Sequence, residues 1–175
     1  MRAALLAVVL ATAAVGRALA APPDIDRSAD GMLEVTDFGT YRLDLVGKSA
    51  APDTVSGTQN TVDDVALLRP GSEVCAVLGT SFGMRYQVSG DLPDPLWRVE
   101  VEADHPMLHY ANGNSGTHGI YARLVTAGSE TYNGWTFEEP GELEPGDFTF
   151  TILRGGEVKL RKTFHVRVDC SASVS

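Results

Sequence analysis

Three observations predict an all-β chain: apolar residues at every second position, clusters of Gly, Pro and Asn between those runs, and no sustained 3.6-residue stripe beyond residue 20. The class they define is an immunoglobulin-like antiparallel β-sandwich of about seven or eight strands, with a small barrel as the competing architecture. A period of two puts one row of side chains on a buried face and the next row in water, as in an antiparallel sheet packed on a partner.

The clearest runs are Trp97, Val99, Val101 and Ala103, alternating with Arg98, Glu100, Glu102 and Asp104. Phe82, Met84, Tyr86 and Val88 alternate in the same way with Gly83, Arg85 and Gln87. Val158, Leu160, Phe164, Val166 and Val168 share one parity that only Lys162 interrupts. Further strands are expected at 34–45, 74–78, 119–126, 132–137 and 147–153. Gly155-Gly156 supplies a positive-φ pair, so 147–169 reads as a hairpin. Breakers fall at 69–71, 90–95, 112–116 and 140–146. Residues 48–60 read as a long polar loop, and 62–68 as at most a turn or two of helix. Trp97 and Trp135 are the expected large core fillers.

The chain begins with an export-signal pattern. Arg2 provides the positive start, 3–15 the apolar run, and Ala18-Leu19-Ala20 the small residues of a cleavage site, with the cut expected between Ala20 and Ala21. That run is too short to span a bilayer. The expected division is residues 1–20 as signal peptide, 21–32 as a flexible leader, 33–170 as the sandwich domain and 171–175 as a tail. The mature protein is then expected in a periplasm or outside the cell, with no membrane span.

Removal of residues 1–20 takes Arg2 and Arg17 with it, leaving 12 basic residues against 23 acidic ones and a formal charge of −11. Such a surface repels phosphate backbones and anionic lipid, which argues against nucleic-acid and membrane-surface roles. Cys75 and Cys170 are the only cysteines. In an oxidising compartment an even pair is expected to form one disulfide. Parity dissents, because Cys75 lies opposite Val74 and Ala76 while Cys170 continues the apolar side of its strand.

The residues also resemble a family of exported bacterial domains of unknown function. The resemblance rests on Gly39-Thr40-Tyr41, on Gly79, Phe82 and Gly83, and on His105-Pro106. Its most specific part is the run Gly134, Phe137, Glu139-Pro140, Glu142-Leu143, Pro145-Gly146, Phe148 and Phe150. It covers residues 33–168; His109 and His118 have no counterpart in it. The resemblance implies a β-sandwich and an extracytoplasmic place, and it transfers no catalytic residue.

Four constellations bear on chemistry. Gly79-Thr80-Ser81-Phe82-Gly83 matches the Gly-x-Ser-x-Gly nucleophile pattern, but it runs into a strand where the elbow needs a helix. His105, His109 and His118, with Asp104 and Met107, form the only local metal-capable cluster, suited to copper or zinc. Glu138, Glu139, Glu142, Glu144 and Asp147 lack the spacing of a calcium loop and read as a solvated turn. Tyr121, Tyr132 and Trp135 are expected mainly in the core, with an aromatic platform as the alternative. The expectation is therefore an exported non-catalytic module without a cofactor, acting on a protein or an envelope component; a metal-binding role for the histidine loop is the alternative.

Overall fold

The computed structural model describes residues 22–91 and 94–170; the expected signal peptide and the tail lie outside them. Nine strands occur among the described residues: β1 Leu33–Ala50, β2 Thr58–Pro70, β3 Glu73–Cys75, β4 Ser81–Val88, β5 Leu96–His109, β6 Ser115–Thr126, β7 Glu130–Thr136, β8 Gly146–Arg154 and β9 Glu157–Arg167. A single 3-10 turn, Pro140–Glu142, interrupts them. They form two sheets, ordered β2-β1-β4-β7 and β3-β9-β8-β5-β6. Every pairing is antiparallel except β3 with β9. The β-sandwich expected from the alternation is the observed architecture.

Its core forms where the inward rows of the two sheets meet. Phe82, Met84, Tyr86 and Val88 of β4 are fully buried, and so are Val99 and Val101 of β5. Phe82 sits at the centre of an aromatic cluster, its ring 5.3–6.0 Å from those of Phe137, Phe148, Phe150 and Phe164. Burying each such ring stabilises the fold by about 1.5–3 kcal/mol, before edge-to-face contacts are counted. Between β8 and β9 the chain turns at Gly155-Gly156, with φ of 59° and 78°, which closes the predicted hairpin.

Three local expectations differ from the structure. The loop expected at 48–60 is confined to 51–57, and 62–68 is no helical turn: β1 runs on to Ala50, and β2 pairs back along it from Thr58 to Pro70. No residue of β2 is buried, so it carries no alternation to read; its extended backbone comes from pairing with β1. Charged Asp63-Asp64 and several register shifts suit an edge strand.

The second difference is the leader, whose described part, 22–32, is docked rather than free. Ile25 exchanges two backbone hydrogen bonds with Arg161 of β9, at 2.9 and 3.0 Å. Lys162, the lone break in the apolar parity of that strand, is buried; its Nζ lies 3.0 Å from Asp26, 3.2 Å from Asp24 and 3.6 Å above the Phe38 ring. Lys159, on the opposite parity, is buried too, with Asp30 and Glu157 both 2.8 Å away.

The third is the parity objection at the cysteines, not their pairing. Cys75 and Cys170 form the expected disulfide, with Cα atoms 5.9 Å apart. The parity objection dissolves because β9 ends at Arg167, and Cys170 belongs to the segment that leaves the strand.

Candidate functional site

Past Tyr41, β1 loses its pairing with β4 and is held by β2 alone. Register shifts at 43–45 and 45–47 bend this free half of the hairpin. It arches across the open side of the sandwich, where β7 of one sheet faces β5 and β6 of the other. Its tip lands on β6: the Ile120 amide donates to the Asp53 carbonyl at 3.0 Å, and Asn114 Nδ2 donates to the Val55 carbonyl at 3.2 Å. Glycine makes room for the tip on the landing strip. A Cβ at Gly116 would come within 2.9 Å of Val55 Cγ2, and one at Gly119 within 3.3 Å of Thr54 Cα. Midway along, Lys48 Nζ and Asn60 Nδ2 donate to the two oxygens of Glu138, at 2.6 and 3.1 Å.

Beneath the arch lies a cavity of about 330 Å³. Val101, Ala103 and Phe150 supply apolar wall, and Tyr121, Asn133 and Trp135 supply mixed wall. Asn133 and Trp135 stand two apart on β7, opposite inward-facing Met84 and Phe82, so they share the inner face. Asn133 Oδ1 accepts from the Tyr121 hydroxyl at 2.5 Å, which leaves its Nδ2 without a partner. Trp135 Nε1 also lacks one.

His105 lines the same cavity, its ring 5.1 Å from that of Trp135. Its Nδ1 lies 2.8 Å from the Pro106 carbonyl, an acceptor, so Nδ1 carries the proton. Burial pushes the imidazole below its ordinary pKa, which keeps it neutral and leaves a bare lone pair on the unpartnered Nε2. Of the five buried polar side-chain atoms without a partner among the described residues, three belong to residues lining this one cavity. Each such atom costs about 1–3 kcal/mol.

The rim is built by the 137–146 turn. Glu142 is 4% exposed, and its carboxylate accepts from the Tyr110 hydroxyl at 2.7 Å and from the amides of Glu138 and Glu139. Burial, and then that carboxylate, raises the Tyr110 phenol well above its usual pKa. Glu139 Oε2 accepts from the Ala111 amide at 2.9 Å. The acidic cluster read as a solvated turn is thus divided: Glu142 is interior structure, Glu138 holds the hairpin, and Asp147 meets His165 Nδ1 at 2.7 Å.

The remaining sequence candidates do not converge. Ser81 is buried, its Oγ 2.8 Å from Thr136 Oγ1, and Gly79 leads into β4 without a helix, so no nucleophile elbow forms. Gly83 of that motif allows close strand approach, since a Cβ there would lie 2.2 Å from the Asn133 carbonyl oxygen. His105 points inward, His109 is exposed at the end of β5, and His118 Nδ1 meets Asp104 at 2.8 Å on the outside. Among the described residues no group of three His, Cys, Asp or Glu side chains is placed to hold a metal ion. No helix among them is long and apolar enough to cross a membrane. Of the expected site residues, the structure brings together Tyr121, Tyr132, Trp135 and His105; sequence reading missed Asn133 and the roof.

Two packed sheets, antiparallel apart from β3 with β9, define an immunoglobulin-like β-sandwich with a roofed pocket. The chain belongs to the family described as Domain of unknown function (DUF3859), whose model matches residues 33–166. Among solved structures it is similar to an immunoglobulin-like protein, PA1606, from Pseudomonas aeruginosa, with 22% identity and a TM-score of 0.55. That match covers 79% of this chain and 99% of the other. No curated protein matches the chain.

Proposed function

We propose that this protein is an exported, non-catalytic binding module, and that the cavity under the β1–β2 arch is where it holds a component of the cell envelope. The cavity carries the reading. It is walled by both sheets, and apolar Val101, Ala103 and Phe150 stand in its lining beside polar Tyr121, Asn133 and His105. The non-catalytic part rests on how the reactive side chains are spent: Ser81 on Thr136, His118 on Asp104 and Glu142 on three donors. Export rests on the N-terminal pattern of residues 1–20 and agrees with a disulfide.

The test is native mass spectrometry of the mature protein after exposure to the small-molecule fraction of an envelope extract. Wild type should carry an added mass that Ala103→Leu, which fills the cavity, loses and Ser81→Ala keeps. An unladen wild type, or an adduct indifferent to Ala103→Leu, removes the cavity as the binding site. Chemical conversion of the bound compound that stops in Ser81→Ala would make the protein an enzyme instead.

A further inference from the structure

We infer that the occupant is a small amphipathic monoanion, a carboxylate on a short apolar body, and that Arg123 holds its charge; this rests on reading the cavity as the binding site. Arg123 stands on the inner row of β6, opposite Val99. Its row neighbours Tyr121 and Val125 stand opposite Val101 and Trp97, and all three of these β5 partners are buried. A charge on a core-facing row is costly unless something answers it.

Nothing in the protein answers this one with a charge. The guanidinium reaches across the sandwich to β7, where Nη1 donates to the Tyr132 carbonyl at 2.7 Å. It also lies close enough to the Tyr121 hydroxyl to oppose the rise in pKa that burial causes there. Both neighbours are neutral. No ion pair among the described residues includes Arg123, and it is the only lysine or arginine in the cavity lining. Trp135 Nε1 and Asn133 Nδ2 are sealed in side-chain packing, but no Arg123 nitrogen is both buried and unpartnered. Arginine carries five N–H donors in a planar fork that matches the two oxygens of a carboxylate.

The rest of the lining limits the ligand. Glu138 and Glu142 line the opposite end: Glu142 is bonded to Tyr110, past the end of β5, whereas Arg123 pairs with Val99 near its start. Glu138 already has Lys48, and both oxygens of Glu142 are engaged by neutral donors. A second negative charge on the ligand would meet these carboxylates, so a monoanion fits and a dianion does not. Between the ends, Val101, Ala103 and Phe150, with the Tyr121 and Trp135 rings, receive an apolar body. The volume of about 330 Å³ lies at the low end of ligand pockets, which keeps that body short. The chain is acidic, with a formal net charge of −9, and its field repels anions elsewhere, so retention of one reports a local cation.

The experiment is calorimetric titration of the mature protein with octanoate, against octanamide, octylamine and the dianion suberate. Octanoate should bind saturably at one site, about tenfold or more tighter than octanamide, the equivalent of one charge-assisted hydrogen bond. Octylamine and suberate should bind no better than the amide. Arg123→Met, which keeps the length and removes the fork, should erase the preference for octanoate, and Arg123→Lys should keep part of it, both checked for folding by circular dichroism. If Arg123→Met does not fold, the wild-type comparison of octanoate with octanamide decides alone. Equal affinities there, or no binding of either, overturn the ligand class; the cavity reading stands if the envelope adduct that Ala103→Leu loses persists. Loss of both overturns both. An octanoate preference unchanged in Arg123→Met or in Ala103→Leu places the carboxylate elsewhere and overturns the inference.

Discussion

Glu142 shows how one side chain gives a motif its meaning. In sequence it is one carboxylate in a crowd, and solvent is its ordinary place. In the structure it is buried because three donors converge on it: the Tyr110 hydroxyl and two amides exposed at the start of the 3-10 turn. Its removal strands all three, so Glu142→Ala should cost about 3 kcal/mol in urea unfolding. Glu142→Gln, which keeps a carbonyl acceptor, should cost less than half as much. Equal losses for the two would mean that shape rather than acceptance matters there. The histidines show the same limit of local reading: closeness in the chain groups them, but the pleat of β5 and β6 sends His105 inward and His118 outward, onto Asp104.

At the scale of elements, the leader acts as a strap on the outer edge of β9, where β3 is too short to cover it. Asp30 is held well below the usual carboxylate pKa, chiefly by its hydrogen bond with Lys159 and then by Ser28; Lys159 is raised in return, chiefly by Asp30. A depressed carboxyl stabilises the folded state fully above its unfolded pKa of about 3.9, and that stabilisation is lost as pH falls toward the folded value. The strap should accordingly loosen below about pH 4. Hydrogen-exchange protection of the Arg161 and Ile25 amides, which bond each other's carbonyls, is the readout. Asp30→Asn should lower protection at pH 7 and flatten its fall with acid. Protection unchanged in that variant would show that the backbone bonds hold the strap without the ion pair. The strap was hidden from sequence reading because its polar composition resembles a linker. The one trace of it was Lys162, a charge on an apolar parity.

For the whole molecule, the disulfide ties the edge strand β3 to the chain end beyond β9, closing a sequence separation of 95 residues. The chain-entropy model values such a closure at about 4–5 kcal/mol. Cys75→Ala with Cys170→Ala should lower unfolding stability by up to that amount, and intact-mass analysis should find two thiols in wild type only after reduction. Free thiols without reductant, or a double variant of unchanged stability, would exclude the bridge as a stabilising tie. The sandwich itself was legible in advance because the core-facing rows of β4, β5, β8 and β9 are apolar, and such a row writes a two-residue beat. β2 wrote none, since an edge strand that buries no residue fully has little reason to alternate.

The amino-acid sequence by itself determined the two-sheet class, the core rows, the closing hairpin and the cysteine pair, because these follow from which side chains leave water and from short-range turn chemistry. Only the tertiary structure decided that the β1–β2 hairpin roofs a cavity, that Asn133, Trp135 and His105 meet there, and that the leader clasps β9. Those features join residues far apart in the chain, and long-range proximity leaves no periodic mark on the residues it joins.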